Sequence, residues 1–359
     1  MIPFLQLTPG EDASAVRAAI DRVVERGWFV LGPEVDAFEA EFAASVSAPH
    51  VVGVGTGTDA IALALRCLGV GPGDEVITSP LSAAYSALAI MMVGARPVFA
   101  DIDPERLTID PGAIAAAVTS RTVAVLPVHL YGQPADMPAI HAIADRHRLA
   151  IVEDCCQSHL ATSNGRPVGS FGAAAAYSFY PTKNLGALGD GGALTLRDPE
   201  LAARAKRLRN GGQVDRYHHV EFGVNTRLDE MQAAILRARL KYLPSWTERR
   251  RALASRYRVA LESSTEPIVP REFDAGHVYH LFPVLSEDRE ATRARLKEAG
   301  VETLIHYPVP IPRQPALESE RPAQCPVADS VCERVFSLPL YPALPEGAIE
   351  RASAVLRQR

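Results

Sequence analysis

Between Val51 and Leu196 the chain alternates short apolar runs with stretches of helical periodicity, and no other feature restricts its fold as much. The runs are VVGV (51–54), EVITS (75–79), PVFA (97–100), TVAVLPV (122–128), LAIVED (149–154), AAAAYSF (173–179) and GALTL (192–196). Between the first five lie amphipathic segments such as DAIALALRCL (59–68), GAIAAAV (112–118) and MPAIHAIADRH (137–147). A run that is apolar at successive positions is a strand covered on both faces, and helices between such strands supply the crossovers of a parallel sheet. The class expected is α/β, with a large, mostly parallel sheet. A turn at GPGD (71–74) has a plain cause, because proline fixes φ and glycine permits φ > 0.

Flanking segments complete the organisation. Asp12–Glu25 and Pro33–Val46 read as helices before the sheet region. Pro199–Arg209, Arg227–Leu240 and Leu243–Leu261 read as helices after it. From about Ser263 the chain is richer in proline and mixes a strand-like VYHLFPVL (278–285) with a helix near Thr292–Ala299. Two domains follow: residues 1–245, with the sheet and an N-terminal arm, and a smaller α+β domain over residues 246–359. With 359 residues the chain exceeds the roughly 250–300 at which a single core stops growing.

Composition removes several classes of function. The 37 Lys+Arg against 42 Asp+Glu leave a formal charge of −5, with no basic excess to neutralise phosphates, so no nucleic-acid partner is expected. The most apolar stretch, Ala83–Ala95, is shorter than the ~18 residues that span a bilayer, and the N-terminus lacks a secretory leader's basic stretch. Five cysteines are too few for a disulfide scaffold, so the reducing cytoplasm is the expected compartment.

Three features at element ends carry chemistry together. GVGTGTDA (53–60) is a glycine-rich turn into a helix, whose free N–H groups and dipole suit an anion. It lacks the third glycine of a dinucleotide fingerprint, and Walker A is absent. It reads equally as a tight turn with Thr58 or Asp59 as N-cap. Asp154 closes the run LAIVED, where ligands of open α/β sheets gather, although a turn residue or helix cap fits there too. Cys155, Cys156 and His159 lack the usual zinc-ligand spacing, so no metal is expected and the thiols read as buried apolar groups. The third feature is SFYPTKNLGALGDGGAL (178–194). Of only four lysines, Lys206, Lys241 and Lys297 sit on arginine-rich helical faces, whereas Lys183 lies among aromatic and small residues between two apolar runs. Partial desolvation lowers a lysine's pKa and suits it to Schiff-base chemistry, the alternative being a surface lysine in a glycine loop. Anion cradle, strand-end acid and desolvated amine together match pyridoxal 5'-phosphate (PLP), whose phosphate, ring nitrogen and aldehyde need those three partners.

The chain resembles the DegT/StrS family of sugar-nucleotide aminotransferases, which are fold-type I PLP enzymes. The likeness rests on GWFVLGPEVDAFEAEFA (27–43), GTGTDAIALAL (55–65), VITSPLSA (76–83), GARPVFADID (94–103), VHLYGQPADM (128–137), VEDCCQSH (152–159), SFYPTKNLGALGDGGAL (178–194), GVNTRLDEMQAAIL (223–236) and IHYPVP (305–310). The resemblance implies that Lys183 attaches the cofactor and moves the proton, and that Asp154 keeps the ring nitrogen protonated. It implies that Gln157 meets the ring or its 3-hydroxyl, and that Gly57, Thr58 and Ser178 bind the phosphate. Asn225 would reach the phosphate of a neighbouring subunit, making a homodimer part of the site. Where relatives stack an aromatic residue on the ring, this chain has Ala83 and Ala84, leaving Tyr85 as the substitute.

The resemblance further implies transfer of an amino group from L-glutamate to a keto group of a nucleotide-linked deoxysugar, by way of the pyridoxamine form (PMP). Tyr180, with DRYHHVEFGVNTRLDE (215–230), is similar to the branch acting at C3 of dTDP-3-keto-6-deoxyhexoses. Tyr180, His159, His218, His219, His306 and Tyr307 are the expected substrate contacts. A 4-keto sugar, a cyclic keto-polyol, or a regulatory protein that keeps the fold are the alternatives. Lys183 argues against the related dehydratases, which carry histidine in its place.

Overall fold

The computed structural model describes residues 1–317 and 323–357. Seven strands form the central sheet: β1 (His50–Val54), β2 (Glu75–Thr78), β3 (Arg96–Phe99), β4 (Thr122–Leu126), β5 (Ala150–Asp154), β6 (Ala174–Ser178) and β7 (Gly192–Leu196). Their order is β1-β7-β6-β5-β4-β2-β3. Five of them run parallel side by side, while β7 pairs antiparallel with both β1 and β6. The reason lies in the linker: residues 179–191 contain no helix, and a parallel return needs a crossover.

Helices cover both faces: α1 (Ala13–Arg26), α2 (Pro33–Val46), α3 (Gly57–Cys67), α4 (Tyr85–Met92), α5 (Pro111–Ala117), α6 (Met137–His147), α7 (Pro199–Leu208) and α8 (Glu230–Leu240). Side chains alternate between layers as the pleat requires, so Ala174 and Ala176 face α3 whereas Ala175 and Tyr177 face α2 and α8. Helix α3 is buried on every side from Ala60 to Leu65, because α4 and α7 pack over it, and it is more enclosed than its amphipathic reading suggests. Helix α8 begins three residues later than expected. Residues 226–228 are outside the helix, Asp229 is extended, and the buried Glu230 carboxylate reaches away to accept the N–H groups of Gly32, Glu34 and Val35 at the start of α2.

Helix α9 (Leu243–Leu261) joins two cores. Leu243 packs with α2 and α8, while Ala254, Tyr257 and Leu261 pack in the C-terminal core. That core holds α10 (Arg289–Glu298), α12 (Ala348–Arg357) and the antiparallel pair Phe282–Leu285 with Val335–Leu338, and α11 (Pro326–Arg334) lies against it. Two details differ from the sequence reading. Ile2 bridges to Val301 and sits in the C-terminal core, while Phe4 packs in a cluster with Leu81, Ile102 and Val128. Only Phe282–Leu285 of the run 278–285 forms a strand, since Tyr279 is left-handed (φ 46°) and Arg250 takes the carbonyls of Tyr279 and His280.

Candidate active site

The C-terminal ends of β5 and β6 and the N-terminus of α3 meet at one point. Thr56 caps α3: its Oγ1 accepts the Asp59 N–H at 3.1 Å and donates to Asp59 Oδ2 at 2.8 Å. The cap is therefore Thr56, one step before the helix, and not Thr58 or Asp59. Thr226 supports the turn, accepting from Gly55 N and donating to Asp59 Oδ2, both at 2.8 Å. Asp59 is thus spent on hydroxyls, leaving the Gly57 and Thr58 N–H groups as donors at the positive end of the helix. A Cβ on Gly57 would stand 2.8 Å from both Cys156 Sγ and Ser178 Cβ, so this cradle admits only glycine.

Asp154 lies across from the cradle, 5% exposed. Its Oδ2 accepts from Ser86 Oγ at 2.8 Å and its Oδ1 from the Cys156 N–H at 3.1 Å, which fixes the carboxylate plane. Burial pushes the Cys156 thiol well up, with Asp154 adding to the effect, so Cys156 is a neutral neighbour of the site. Lys183 is half-buried in a tight loop whose Lys183 N–H donates to Tyr180 O at 2.8 Å. Arg239, paired with Asp12 at 2.8 Å, holds that loop by donating to Gly186 O at 2.6 Å. Burial pulls the Lys183 amine below the ordinary lysine range, and the Asp154 carboxylate offsets part of the shift. A buried amine that gives up its proton more readily is what covalent carbonyl chemistry requires.

Gln157 is the third fixed group. Its Oε1 accepts the Tyr131 N–H at 2.7 Å and its Nε2 donates to the Tyr307 hydroxyl at 3.0 Å. Tyr131 holds a left-handed backbone (φ 59°), and its hydroxyl donates to His306 O, tying the segment 306–307 to the sheet. Burial pushes the Tyr307 phenol up to about 12 and the His306 imidazole down to about 4. Behind this wall Glu153 and His129, both fully buried, lie 3.2 Å apart. Glu153 also accepts the N–H groups of Gly169, Phe171 and Gly172, and His129 Nδ1 accepts from Ala135 N. The nearby Cys155 thiol is held neutral by burial, so this cluster braces the end of β5 with its polar capacity already used.

The expected site residues divide into three groups. Gly57, Thr58, Asp154, Gln157, Ser178, Lys183, His306 and Tyr307 converge on the cleft, and Tyr85 and Tyr180 are exposed beside it. His218, His219 and Asn225 lie instead on or beside the exposed hairpin Gln213–Asp215/His218–His219, with Asn225 bridged to Asn210. His159 requires a correction. It is fully buried against Phe42, Tyr177 and Phe179, and burial pulls its pKa down to about 3 despite the Ser178 backbone beside it. A neutral imidazole in an aromatic core cannot touch a substrate, so His159 leaves the substrate set. Ser86 and Tyr131 were missed. Ser86 lies in a stretch that reads only as apolar, and the one signal for Tyr131 was its place in VHLYGQPADM.

The description "DegT/DnrJ/EryC1/StrS aminotransferase family" matches residues 11–357. The chain belongs to this family. It is 47% identical over 362 residues to the dTDP-3-amino-3,4,6-trideoxy-alpha-D-glucose transaminase of Streptomyces venezuelae, covering 99% of this chain and 96% of that one. It is 46% identical to the erythromycin biosynthesis sensory transduction protein EryC1 of Saccharopolyspora erythraea, covering 99% of each. The crystal structure of S. venezuelae DesV in complex with a ketimine intermediate superposes with a TM-score of 0.97 at 46% identity, covering 99% of this chain and 98% of that one. Aminotransferases of this family use PLP, and the glycine-only cradle, the fixed carboxylate and the desolvated amine fit its phosphate, ring nitrogen and aldehyde.

Proposed function

We propose that this chain transfers the amino group of L-glutamate to the C3 ketone of a dTDP-linked 3-keto-6-deoxyhexose, working as a cytoplasmic homodimer. The observation that carries the reading is the convergence of Lys183 and Asp154 with the Gly57 cradle, in a chain whose relative at 47% identity is named for a 3-amino sugar. PLP, when bound, supplies an electrophilic aldehyde and an electron sink. The protein supplies the rest. Gly57 and Thr58 N–H groups and Ser178 Oγ hold the phosphate. Ser86 and the Cys156 N–H aim the Asp154 carboxylate at the ring nitrogen and keep a proton there. Lys183 would take the proton from the donor carbon and give it back, as general base and then acid. Gln157, locked between Tyr131 and Tyr307, orients the ring edge.

Exposed apolar side chains support the dimer. Trp28 (54%) and Phe29 lie beside the extended segment before α8, and Tyr217 and Phe222 (81%) stand on or next to the hairpin. Covering them with a second copy would carry His218, His219 and Asn225 toward that copy's cleft. Tyr85 and Tyr180 then complete the sugar side, with His306 and Tyr307 behind them.

The test is a panel of dTDP-linked 3-keto and 4-keto sugars incubated with holoprotein and L-glutamate, following 2-oxoglutarate. Release with the 3-keto members alone is expected. Turnover confined to 4-keto members overturns the regiochemistry. A holoprotein that turns over no member of the panel points instead to a sensory role, such as the name of the 46% relative carries.

A further inference from the structure

A cleft runs behind the Lys183 loop, between the arm at residues 5–12, the loop 181–186, the first half of α9 and residues 341–343. Four cations line it, namely Lys183, Arg239, Arg249 and Arg250, against two carboxylates, Glu11 and Asp12. Both carboxylates are taken. Glu11 pairs with Arg249 at 2.6 Å and also accepts from Trp246 Nε1, and Asp12 pairs with Arg239. Asp154 acts on the Lys183 amine, so Arg250 remains as the cation of this lining without an acidic partner among the described residues.

Arg250 is the unusual one. It is only 4% exposed, yet no carboxylate of the described residues pairs with it. Its Nη1 is committed to the carbonyls of Leu340, Tyr279 and His280 at 2.9, 3.1 and 3.3 Å, while its buried Nε has no partner. An unpaired buried guanidinium is costly, and a carboxylate that reached its partnerless Nε together with Nη2 would meet them with two parallel hydrogen bonds. Burial alone pulls its pKa down to about 10, which still leaves it charged at neutral pH. One ligand suits this lining: a small molecule whose amine comes to the carbonyl chemistry at Lys183 and whose carboxylate lies at Arg250. A nucleoside diphosphate has no such amine.

We propose that Arg250 is the binding residue for a carboxylate of the dicarboxylic amino donor, so that this cleft is where L-glutamate is distinguished from uncharged amino acids. The proposal rests on the reading that L-glutamate is the donor, and its test separates the two. Single-turnover conversion of wild-type holoprotein to its pyridoxamine form is followed with L-glutamate and with L-norvaline, which lacks the second carboxylate. Half-saturation for L-glutamate is expected at least about tenfold lower. In Arg250→Lys, which keeps a charge and donors for the three carbonyls but loses the fork, the L-glutamate value should rise about tenfold, and that for L-norvaline should stay within about twofold.

Calorimetry supplies a readout independent of turnover. Glutarate, a dicarboxylate without an amine, should bind the wild-type holoprotein and bind Arg250→Lys about tenfold more weakly, with thymidine 5'-diphosphate affinity unchanged. Equal half-saturation for the two amino acids in the wild type overturns the proposal even if the variant does not fold. A parallel rise for both amino acids in Arg250→Lys also overturns it, since that marks a merely structural arginine, as does weakened diphosphate binding with glutarate unaffected. Failure of wild-type holoprotein to react with L-glutamate at all, with glutarate binding still dependent on Arg250, sinks the donor assignment and leaves the carboxylate site standing.

Discussion

The cofactor wall of the cleft and its outer face differ in how complete they are within one chain. On the wall, Asp154, Gln157 and the α3 cap have their hydrogen bonds satisfied by neighbours a few ångströms away. On the outer face, Tyr217, Phe222, Trp28 and Tyr180 stand exposed, and the hairpin histidines have only solvent-side partners. Recognition of a small charged cofactor is a short-range problem that one sheet edge can solve. In the proposed homodimer, recognition of the larger sugar nucleotide falls to surfaces that a single copy leaves open.

That contrast can be broken at graded cost. Lys183→Ala should lower turnover by about a thousandfold or more, measured as 2-oxoglutarate release, because it removes both attachment and proton transfer. Asp154→Asn should cost about a hundredfold, and Ser86→Ala, which leaves the carboxylate in place with one donor fewer, only about threefold to tenfold. A Ser86 variant as damaged as the Asp154 variant would mean that the serine acts directly on the cofactor. On the outer face, Phe222→Asp should shift sedimentation from dimer to monomer and lower turnover about tenfold, while cofactor absorption persists. Unchanged sedimentation would place the dimer contact elsewhere.

The smallest effect belongs to the histidine that the core claims. His159 stays neutral in the folded protein down to about pH 3, whereas an unfolded histidine protonates near 6.5. The unfolded state therefore binds the extra proton between those values, and stability falls as pH drops through that window by up to about 1.4 kcal/mol per unit. In His159→Phe this component should vanish, so urea unfolding at pH 7 and pH 5 should differ less than in the wild type. An unchanged pH difference would show that the ring is not the neutral core group described.

The architecture was legible because its signal is physical: runs apolar at successive positions are covered on both faces, as β1, β2, β4, β5 and β6 are, while the edge strand β3 is only half-buried. The antiparallel course of β7 was not, since GALTL looks the same in either direction, and only the missing helix in 179–191 hints at it. Helix α4 escaped notice because Tyr85–Met92 is apolar without a helical period. In the site, Lys183 stood out by contrast with three solvated lysines and Asp154 by its strand end. Ser86 and Tyr131 act through a hydroxyl or a backbone N–H on partners 68 and 26 residues away, and nothing local in the sequence marks such a bond. His159 misled because its motif neighbours do line the cleft, whereas its own ring points into Phe42 and Tyr177.

Borohydride reduction of the holoprotein, followed by peptide mass mapping, bears most directly on the joint placement of amine, acid and anion cradle. Reduction should fix a phosphopyridoxyl group on the peptide that contains Lys183 and on no peptide carrying Lys206, Lys241 or Lys297. A tag on one of those three, or a Lys183 peptide left unmodified while the cofactor absorption disappears, would contradict the assignment of the reacting amine.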